Sequence, residues 1–274
     1  MSSIVTDIIT TDRPVANNEK RLSICLRSNG FSFSVSTIGN ELLTVGDIQS
    51  EPSLPANNLA QLVTQTVCGN EASLGYKQMN LIVPSMQFAW IPDHLYDPAL
   101  NRQYLQTVTH ISDSIGIYHA YSAPLNSHIV FSAPADIVTA FKVNLPGIDI
   151  TCQHAILAQA MILSSNNTHP VILMHVRESA TDIEALFNGR LLLSGSYPAN
   201  NNEDALYHAL SVMKHLHLET PDMELYICGL VDRDFYTRLQ HFFPNVSLYT
   251  GKQYSFINPD FQTLHTYKHA LILS

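Results

Sequence analysis

A chain of 274 residues is long enough for two domains of ordinary size, each with its own hydrophobic core. Hydrophobic residues make up 46% of the chain and charged residues only 14%, a composition that excludes an intrinsically disordered protein. The formal net charge is −9 and only 14 residues are Lys or Arg, which argues against nucleic-acid binding, because that function needs clustered cations.

The cysteines Cys25, Cys68, Cys152 and Cys228 are scattered and show no zinc or redox spacing. We expect buried thiols in a reducing compartment rather than a disulfide framework. The first twenty residues lack the basic start and apolar core of a signal peptide, and no run of about 18 apolar residues occurs. The sequence therefore predicts a soluble cytoplasmic protein with no membrane insertion.

Residues 1–20 are polar and predict an irregular N-terminal arm or an edge segment. The strand-like runs "LSICLRS" and "FSFSVST" then flank Asn29-Gly30, a dipeptide that accepts the positive φ angles of a two-residue hairpin turn. A second turn at Gly39-Asn40 leads into a third strand, "ELLTVGDI".

The rest of the first half alternates helices and strands. "NNLAQLVTQTVCG" has helical spacing, with Asn57 or Asn58 as the expected cap. "MNLIVPSMQFAWIP" predicts a strand pair or a bent strand. The segments that follow it predict a helix in "PALNRQYLQTVTH", strands around "IGIYHAYSAP" and "HIVFSAP", a short helix at residues 135–143, and a strand followed by a helix at residues 151–167.

The second half repeats this scheme. "PVILMHVRES" and "TDIEALF" predict an antiparallel pair, and Asn188-Gly189 turns the chain into "RLLLSGSY". Four further segments follow: an amphipathic helix in "ALYHALSVMKHLHL", a buried parallel strand in "MELYICGLV", a helix that Asp232 begins, and strand-capable runs in "VSLYTG" and "TLHTYKHALILS".

The two halves share one order of elements, offset by about 150 residues, which indicates duplication of a whole domain. Three antiparallel strands followed by alternating helices and parallel strands predict an α/β fold, with a mixed sheet and covering helices in each half. The predicted organisation is an N-terminal arm at residues 1–20, a first domain at 21–165 and a second at 166–274.

This duplicated order resembles the actin-like ATPase and sugar-kinase superfamily, in which two ribonuclease-H-like domains face each other across a nucleotide cleft. The resemblance covers about residues 20–274. Stretches such as "RLLLSGSY", "NNEDALYHAL" and "YKHALIL" are more narrowly similar to an uncharacterised bacterial family with that fold. The resemblance implies the actin-like ATPase architecture and names no function.

Active members of the superfamily bind ATP through two phosphate loops and an adenosine loop. At the first phosphate loop, which is an Asp-X-Gly-Thr turn in those members, this chain has Asn29 and Gly30 and no acidic residue. The second is Asp-Leu-Gly-Gly-Gly-Thr-Phe-Asp in active members. Here it runs from His175 to Asp182, so the final Asp is retained, but all three glycines are replaced, by Arg177, Glu178 and Ser179.

The adenosine loop of active members ends an apolar strand with Gly-Gly. This chain keeps Gly229 but has Leu230 at the second position. The residues that the resemblance places in an inter-lobe cleft, as candidates for nucleotide binding, are Asn29, Gly30, Arg177, Ser179, Asp182 and Gly229.

No residue pattern predicts a catalytic group or a metal site. His215 and His217 close a helix but point to different faces, and His265 and His269 have no Cys or acidic residue at ligand spacing. A nucleophile elbow has the pattern Gly-X-Ser-X-Gly, and "SGSYP" lacks the glycine that this pattern places after the serine.

We therefore predict a catalytically inactive scaffold or regulatory module with an unidentified protein partner, no cofactor and an unspecified oligomeric state. The alternative is an active ATPase or small-molecule kinase that binds ATP with magnesium. In that case Asp182, Arg177 and Asn29 would take over the phosphate and metal roles.

Overall fold

The computed structural model describes residues 5–11, 15–16, 19–49, 54–68, 75–112, 115–164, 169–219, 221–252, 254–256 and 265–274. Contacts within the chain divide it into two compact units. Unit 1 comprises Met1–Ala120, His128–Gln153 and Gln253–Leu264, and unit 2 comprises Tyr121–Ser127, His154–Lys252 and His265–Ser274.

The described residues form strands and α-helices that alternate along the chain. The strands are β1 (Val5–Thr10), β2 (Lys20–Arg27), β3 (Gly30–Thr37), β4 (Glu41–Gln49), β5 (Gln78–Ile82), β6 (Phe88–Pro92), β7 (Ile115–Ser122), β8 (Ser127–Pro134), β9 (Asp149–Thr151), β10 (Val171–Val176), β11 (Ala180–Phe187), β12 (Arg190–Pro198), β13 (Glu224–Gly229), β14 (Asn245–Leu248) and β15 (Ser255–Phe256). The helices are α1 (Ala56–Cys68), α2 (Asn101–Gln106), α3 (Ala135–Asn144), α4 (Gln153–Ser164), α5 (Asn202–His215) and α6 (Arg233–Phe242).

The main sheet of unit 1 has the strand order β1-β4-β3-β2-β5-β9, and β15 also pairs with β4. Strands β2, β3 and β4 are antiparallel, and β5 and β9 extend the sheet in parallel. The sheet buries large apolar side chains such as Ile24, Phe31 and Phe33 against residues of α1 and α3, including Val63 and Phe141. Burial of these side chains drives the folding of the unit.

Between β5 and α3 lies a separate three-stranded sheet with the order β6-β8-β7. Its small core contains Leu105, Ile111 and Val130, and the ring of Tyr96 stacks on that of His128 with centroids 3.7 Å apart. The predicted strands of "FAWIP", "IGIYHAYS" and "SHIVFSAP" all exist. The "MNLIVPSMQFAWIP" segment is thus two strands that belong to different sheets.

Unit 2 has a five-stranded sheet with the order β12-β11-β10-β13-β14. Strands β10, β13 and β14 are parallel, whereas β11 is antiparallel to both of its neighbours. One face packs Ile183 and Ala185 against α5 and α6, whose buried residues include Ala209 and Phe235. The parallel strand predicted in "MELYICGLV" is confirmed as β13.

The duplication is visible in the register of the two sheets. The core strands of unit 1, β4-β3-β2-β5-β9, and the strands of unit 2, β12-β11-β10-β13-β14, share one topology. Both hairpins of antiparallel strands even shift register at the same place, between Val35 and Ser36 in unit 1 and between Ala185 and Leu186 in unit 2. The mixed-sheet fold class predicted from the sequence is therefore confirmed.

Of two predicted hairpin turns, one is confirmed and the other is shifted by one residue. Asn188 and Gly189 both have positive φ angles, 51° and 70°, as a two-residue hairpin turn requires. In unit 1 the loop is instead Ser28-Asn29, and Gly30 is the first residue of β3 with a φ of 143°. The predicted Asn29-Gly30 turn was therefore misplaced by one residue.

Two further expectations were wrong. Asn57 and Asn58 lie inside the first turn of α1 rather than before it, so neither is the cap. The C-terminal run, predicted to be capable of forming a strand, forms a 3-10 helix at Thr266–His269. For residues 1–20 the sequence left an N-terminal arm or an edge segment open, and Val5–Thr10 form an edge strand, β1, which pairs antiparallel with β4.

Candidate functional site

In unit 2, one edge of the sheet collects most of the residues that the sequence assigned to nucleotide binding. Strands β10, β12 and β13 run in the same direction, so their last residues, Val176, Pro198 and Gly229, lie at one edge. We call this the carboxyl edge. Helices α5 and α6 begin a few residues after β12 and β13 end, and ligands of open α/β sheets bind at such edges.

The hairpin between β10 and β11 is the segment that the sequence resemblance aligned with a second phosphate loop. The backbone N–H of Arg177 donates to the carbonyl of Ala180 at 2.9 Å, so the loop between the two strands consists of only two residues, Glu178 and Ser179. Both loop residues are exposed. A tight two-residue loop offers no run of free amide groups, and its carboxylate would repel a phosphate.

Asp182 lies on β11 with its side chain fully buried. Arg177 donates to both carboxylate oxygens, from Nε at 2.8 Å and from Nη2 at 2.9 Å, and the hydroxyl of Ser196 donates as well. Nδ1 of His175, on the neighbouring strand, lies 3.0 Å from Oδ2. Asp182 is therefore bound on all sides by side chains of its own unit.

These partners decide the charge of Asp182. Burial alone would raise the pKa of Asp182, but the hydrogen bond from His175 and the charges of His154 and Arg177 hold it well below its ordinary value. The result is an ionised carboxylate in a bidentate pair with Arg177, whose side chain is only 17% exposed. The pair occupies both oxygens of Asp182 and the Nε and Nη2 nitrogens of Arg177.

A second buried carboxylate, Glu184, lies two residues further along β11 on the same face. Its Oε1 is 2.5 Å from Nδ1 of His154, on α4, and the hydroxyl of Ser194 is 3.3 Å from that same nitrogen. Burial raises the pKa of Glu184, and the charge of His154 opposes the rise. Because Ser194 and Glu184 approach the same ring nitrogen, the group is not a Ser-His-acid triad, which uses both nitrogens.

Gly229 has a packing role at the carboxyl edge. Its φ is +89°, and a Cβ at this position would lie 2.2 Å from the carbonyl oxygen of Val176. The next N–H, that of Leu230, donates to the same oxygen at 2.9 Å. The close passage of β13 past β10 thus explains the glycine without a ligand.

The N-termini of α5 and α6 are capped by side chains of the chain. Asn201 accepts from the N–H of Asp204 at 2.8 Å, and Asp232 accepts from the N–H of Phe235 at 2.7 Å. Asn202 donates to the other oxygen of Asp232 at 3.1 Å. Amide groups that would otherwise attract a phosphate are satisfied here by asparagine and aspartate.

The predicted site residues of unit 1 lie in the β2–β3 hairpin. Asn29 is a half-buried loop residue. Gly30 passes so close to β4 that a Cβ would lie 1.9 Å from the carbonyl oxygen of Ile48. Gly30 is therefore required by the sheet itself.

His154, Glu184 and Ser194 were not predicted from the sequence as site residues. Their contacts join residues 30 to 40 positions apart, and no local pattern announces them. One signal was available in "ATDIEALF", where Asp182 and Glu184 alternate within an otherwise apolar strand. Two carboxylates on one face of a buried strand imply buried partners.

In the part of the chain that the structure describes, no group of three or more His, Cys, Asp or Glu side chains is arranged to hold a metal ion. No helix of that part is long and apolar enough to cross a membrane. Cys25, Cys152 and Cys228 are buried free thiols.

A family model for proteins of unknown function, DUF3822, matches residues 11–246. The chain belongs to this family. No curated protein matches the chain. The family therefore supplies an identity but no activity.

Solved structures show the fold. A Bacteroides thetaiotaomicron protein with an actin-like ATPase fold and unknown function matches with a TM-score of 0.74 and 23% identity, over 85% of this chain and 91% of that one. The PilM-PilN type IV pilus biogenesis complex matches with a TM-score of 0.61 and 11% identity, over 94% and 97%. The ethanolamine utilization protein EutJ from Carboxydothermus hydrogenoformans matches at 0.50 and 12%, over 97% and 93%. The chain has the actin-like ATPase fold with two ribonuclease-H-like domains.

Proposed function

We propose that this DUF3822 protein is a catalytically inactive scaffold or regulatory module that binds a protein partner. The observation that carries the proposal is the bidentate pairing of Arg177 with Asp182 beneath a closed two-residue loop. Arg177 is the cation that could compensate for lost glycines, and Asp182 is the retained carboxylate. Each one neutralises the other, so neither is left for a phosphate or a magnesium ion.

The charge of the surrounding carboxyl edge supports the same proposal. The loop carries exposed Glu178, and the starts of α5 and α6 carry Glu203, Asp204, Asp232 and Asp234. These five carboxylates outnumber the two nearby cations, Arg233 at the start of α6 and Arg238, which pairs with Glu203. A triphosphate would meet these carboxylates without an unengaged arginine from the hairpin to offset them. Like-charge contact of this kind disfavours binding.

A protein partner is suggested by the fold neighbour that comes from the PilM-PilN complex. That neighbour is a pilus biogenesis assembly, and its identity to this chain is only 11%, so the suggestion is one of fold-level analogy. The reduced, buried cysteines agree with a cytoplasmic location, which we include in the proposal.

The test is a thermal unfolding series with ATP and magnesium, with magnesium alone as the reference. A ligand at a hundred times its Kd would stabilise the protein by about 2.7 kcal/mol. We expect no shift of the unfolding midpoint with ATP. A shift that saturates with ATP concentration would contradict the proposal.

If ATP does shift the unfolding midpoint, two variants test whether the nucleotide binds at the hairpin loop. Glu178→Gln removes the exposed charge of the hairpin loop, and Glu219→Gln removes an exposed charge beyond α5 as a matched control. A shift that grows with Glu178→Gln and not with Glu219→Gln would place a nucleotide at the hairpin and support the ATPase alternative.

A further inference from the structure

Alternate side chains of β11 point to opposite faces of the unit 2 sheet. Ile183 and Ala185 pack with the buried residues of α5 and α6, so Asp182 and Glu184 point to the other face. There both carboxylates meet His154 of α4, a helix that belongs to unit 2 from this residue onward. Nδ1 of His154 lies 2.5 Å from Oε1 of Glu184, and Nε2 lies 3.7 Å from Oδ1 of Asp182. The imidazole is thus held between two fully buried carboxylates.

A fourth side chain extends these contacts to the hairpin loop. Arg177 donates to both oxygens of Asp182. Four groups therefore follow one another, and we call them the charge row: Glu184, His154, Asp182 and Arg177. When His154 is protonated, negative and positive charges alternate along the row and sum to zero. Carboxylates on both sides favour the protonated ring, because an opposite charge within about 4–6 Å favours the charged form of a group.

The distances indicate where the protons of His154 lie. Nδ1 and Oε1 of Glu184 are 2.5 Å apart, a separation at which they share one proton, because two lone pairs would repel each other. Nε2 faces the ionised carboxylate of Asp182, which favours a second proton at that nitrogen. Glu184 and His154 together therefore hold one proton more than an ionised carboxylate beside a neutral ring.

Other titratable groups lie on the elements around the charge row. They are His175 on β10, Tyr197 on β12, Glu224, Tyr226 and Cys228 on β13, and His269 on the C-terminal 3-10 helix, which contacts β13. Burial raises the pKa of Tyr197 and of Cys228, and the charges of Glu184 and Asp182 raise them further. None of these six side chains is a lysine or an arginine, so none supplies a fixed positive charge in place of the proton.

We propose that the proton held by Glu184 and His154 operates a pH-dependent switch that keeps α4 on the sheet of unit 2. Its loss leaves two buried carboxylates beside a single arginine, and an uncompensated buried charge is costly. Strands β10, β11 and β12 are joined by backbone pairing, whereas α4 meets these carboxylates through the side chain of His154. α4 is therefore the element that yields, by a local opening that admits water to the carboxylates.

The direction of the switch follows from burial. Burial raises the pKa of Glu184, so the folded site keeps its proton at pH values at which the same carboxyl of the unfolded chain has lost it. The switch holds α4 at low pH and releases it as the pH rises through the folded value. It goes beyond the proposed function and does not depend on it, because α4 would respond to pH whether or not the protein bound ATP.

The test is amide hydrogen exchange of the full chain between about pH 5 and pH 9. Protection factors compare each amide with an unstructured amide at the same pH. Those of Leu157 to Leu163, in the hydrogen-bonded part of α4, should fall at least about tenfold as the pH rises. Those of α5, on the opposite face of the sheet, should stay unchanged. No loss in α4, or an equal loss in both helices, would overturn the proposal.

A pair of variants assigns the pH dependence to Glu184. Glu184→Gln introduces an amide that has no proton to lose and can donate to Nδ1 of a neutral His154, so protection of α4 should no longer depend on pH. The matched control, Glu219→Gln, removes an exposed carboxyl of the same unit and should keep the wild-type dependence. A Glu184→Gln variant that keeps the wild-type dependence would also overturn the proposal.

Nitrogen NMR of the His154 ring in the wild type gives a further test that needs no variant. Nε2 should be protonated at low pH and should lose its proton at the pH at which α4 loses protection, because Glu184, His154 and α4 respond as one unit. A ring that titrates at a different pH, or that does not titrate between about pH 5 and pH 9, would contradict the switch.

Discussion

The hairpins that open the two units share a register but carry different chemistry. Arg27 ends β2 and Arg177 follows β10, and each forms an ion pair with a carboxylate of its sheet. In unit 1 the partner is Asp47 on β4, at 2.8 Å, with both side chains about a quarter exposed. In unit 2 the partner is the fully buried Asp182 on β11. The arginine occupies the same position in both units, whereas the carboxylate is buried in unit 2 and partly exposed in unit 1.

Asp182 in unit 2 and Ser32 in unit 1 occupy equivalent positions. Each pairs with the residue that lies two before the arginine, which is His175 in unit 2 and Cys25 in unit 1. The neighbour on the third strand is Ser196 in unit 2 and Asp47 in unit 1. Acid and serine have thus exchanged strands. A surface ion pair contributes little to stability, whereas a buried one is costly to break, so the two units should respond differently to the same substitution.

The largest effect should come from removing one carboxylate from each pair. Asp182→Asn leaves Arg177 beside a neutral partner in a buried setting and should lower the free energy of unfolding by about 3–5 kcal/mol. Asp47→Asn should lower it by about 1 kcal/mol or less. Urea denaturation of both variants measures the difference. Equal losses would show that the buried pair does not organise unit 2.

A smaller effect is expected at Gly30 and Gly229, one in each unit, because each lies where one strand passes close to the backbone of another. Alanine at either position would bring Cβ to 1.9 Å or 2.2 Å from a backbone oxygen, so we expect a loss of at least about 1–3 kcal/mol. Gly147 is the control, since its φ is also positive, +87°, but no atom lies within 4 Å of the added Cβ.

Thermal and urea unfolding of the three alanine variants provide the measurement. Gly147→Ala should cost only about 1 kcal/mol from backbone strain. If Gly30→Ala and Gly229→Ala cost no more than Gly147→Ala, the glycines are not set by these crossings, and a ligand role for them would regain weight.

The smallest expected effect is a pH dependence of the free energy of unfolding, which should have opposite signs for the two buried carboxylates of β11, Glu184 and Asp182. Burial raises the pKa of Glu184, so the folded state holds that proton more tightly than the unfolded chain, where the pKa is about 4.3. This contribution is present below that pH and is lost as the pH rises through the folded value. The wild type should therefore lose stability relative to Glu184→Gln as the pH rises from 4.

Asp182 should behave in the opposite way, because its pKa lies below the ordinary value in the folded state. Its contribution is present above about pH 3.9 and is lost as the pH falls below it.

Urea unfolding of wild type, Glu184→Gln and the exposed control Glu219→Gln between pH 4 and 8 tests the pH dependence expected from Glu184. A difference between wild type and Glu184→Gln that does not change with pH would contradict the assignment.

Local chemistry made much of the fold predictable. Asn188-Gly189 requires positive φ angles that few other dipeptides accept, so its hairpin could be placed correctly from the sequence. The duplicated order followed from such turns and from hydrophobic periodicity. The turn predicted at Asn29-Gly30 was placed one residue too late. Gly30 has a φ of 143° because it passes close to Ile48 on another strand, and not because it belongs to the turn.

Features that depend on distant residues were beyond local reasoning. β1 is a strand only because β4 pairs with it, and Ala270–Leu273 is buried without forming the strand that its apolar run suggests. At the candidate site, the resemblance identified Asp182 as the retained acid of a phosphate loop and Arg177 as the replacement for one of its glycines. Their engagement with each other, and the presence of His154 and Glu184 beside them, depend on tertiary packing.

In unit 2, Arg177 pairs with Asp182 beneath a closed two-residue loop, and we infer that no nucleotide binds there. Isothermal titration calorimetry of the full chain with ATP, in the presence of magnesium, measures such binding. We expect no saturable heat of binding and no phosphate release on prolonged incubation. Saturable binding that is lost in Asp182→Asn, while that variant remains folded by circular dichroism, would contradict it.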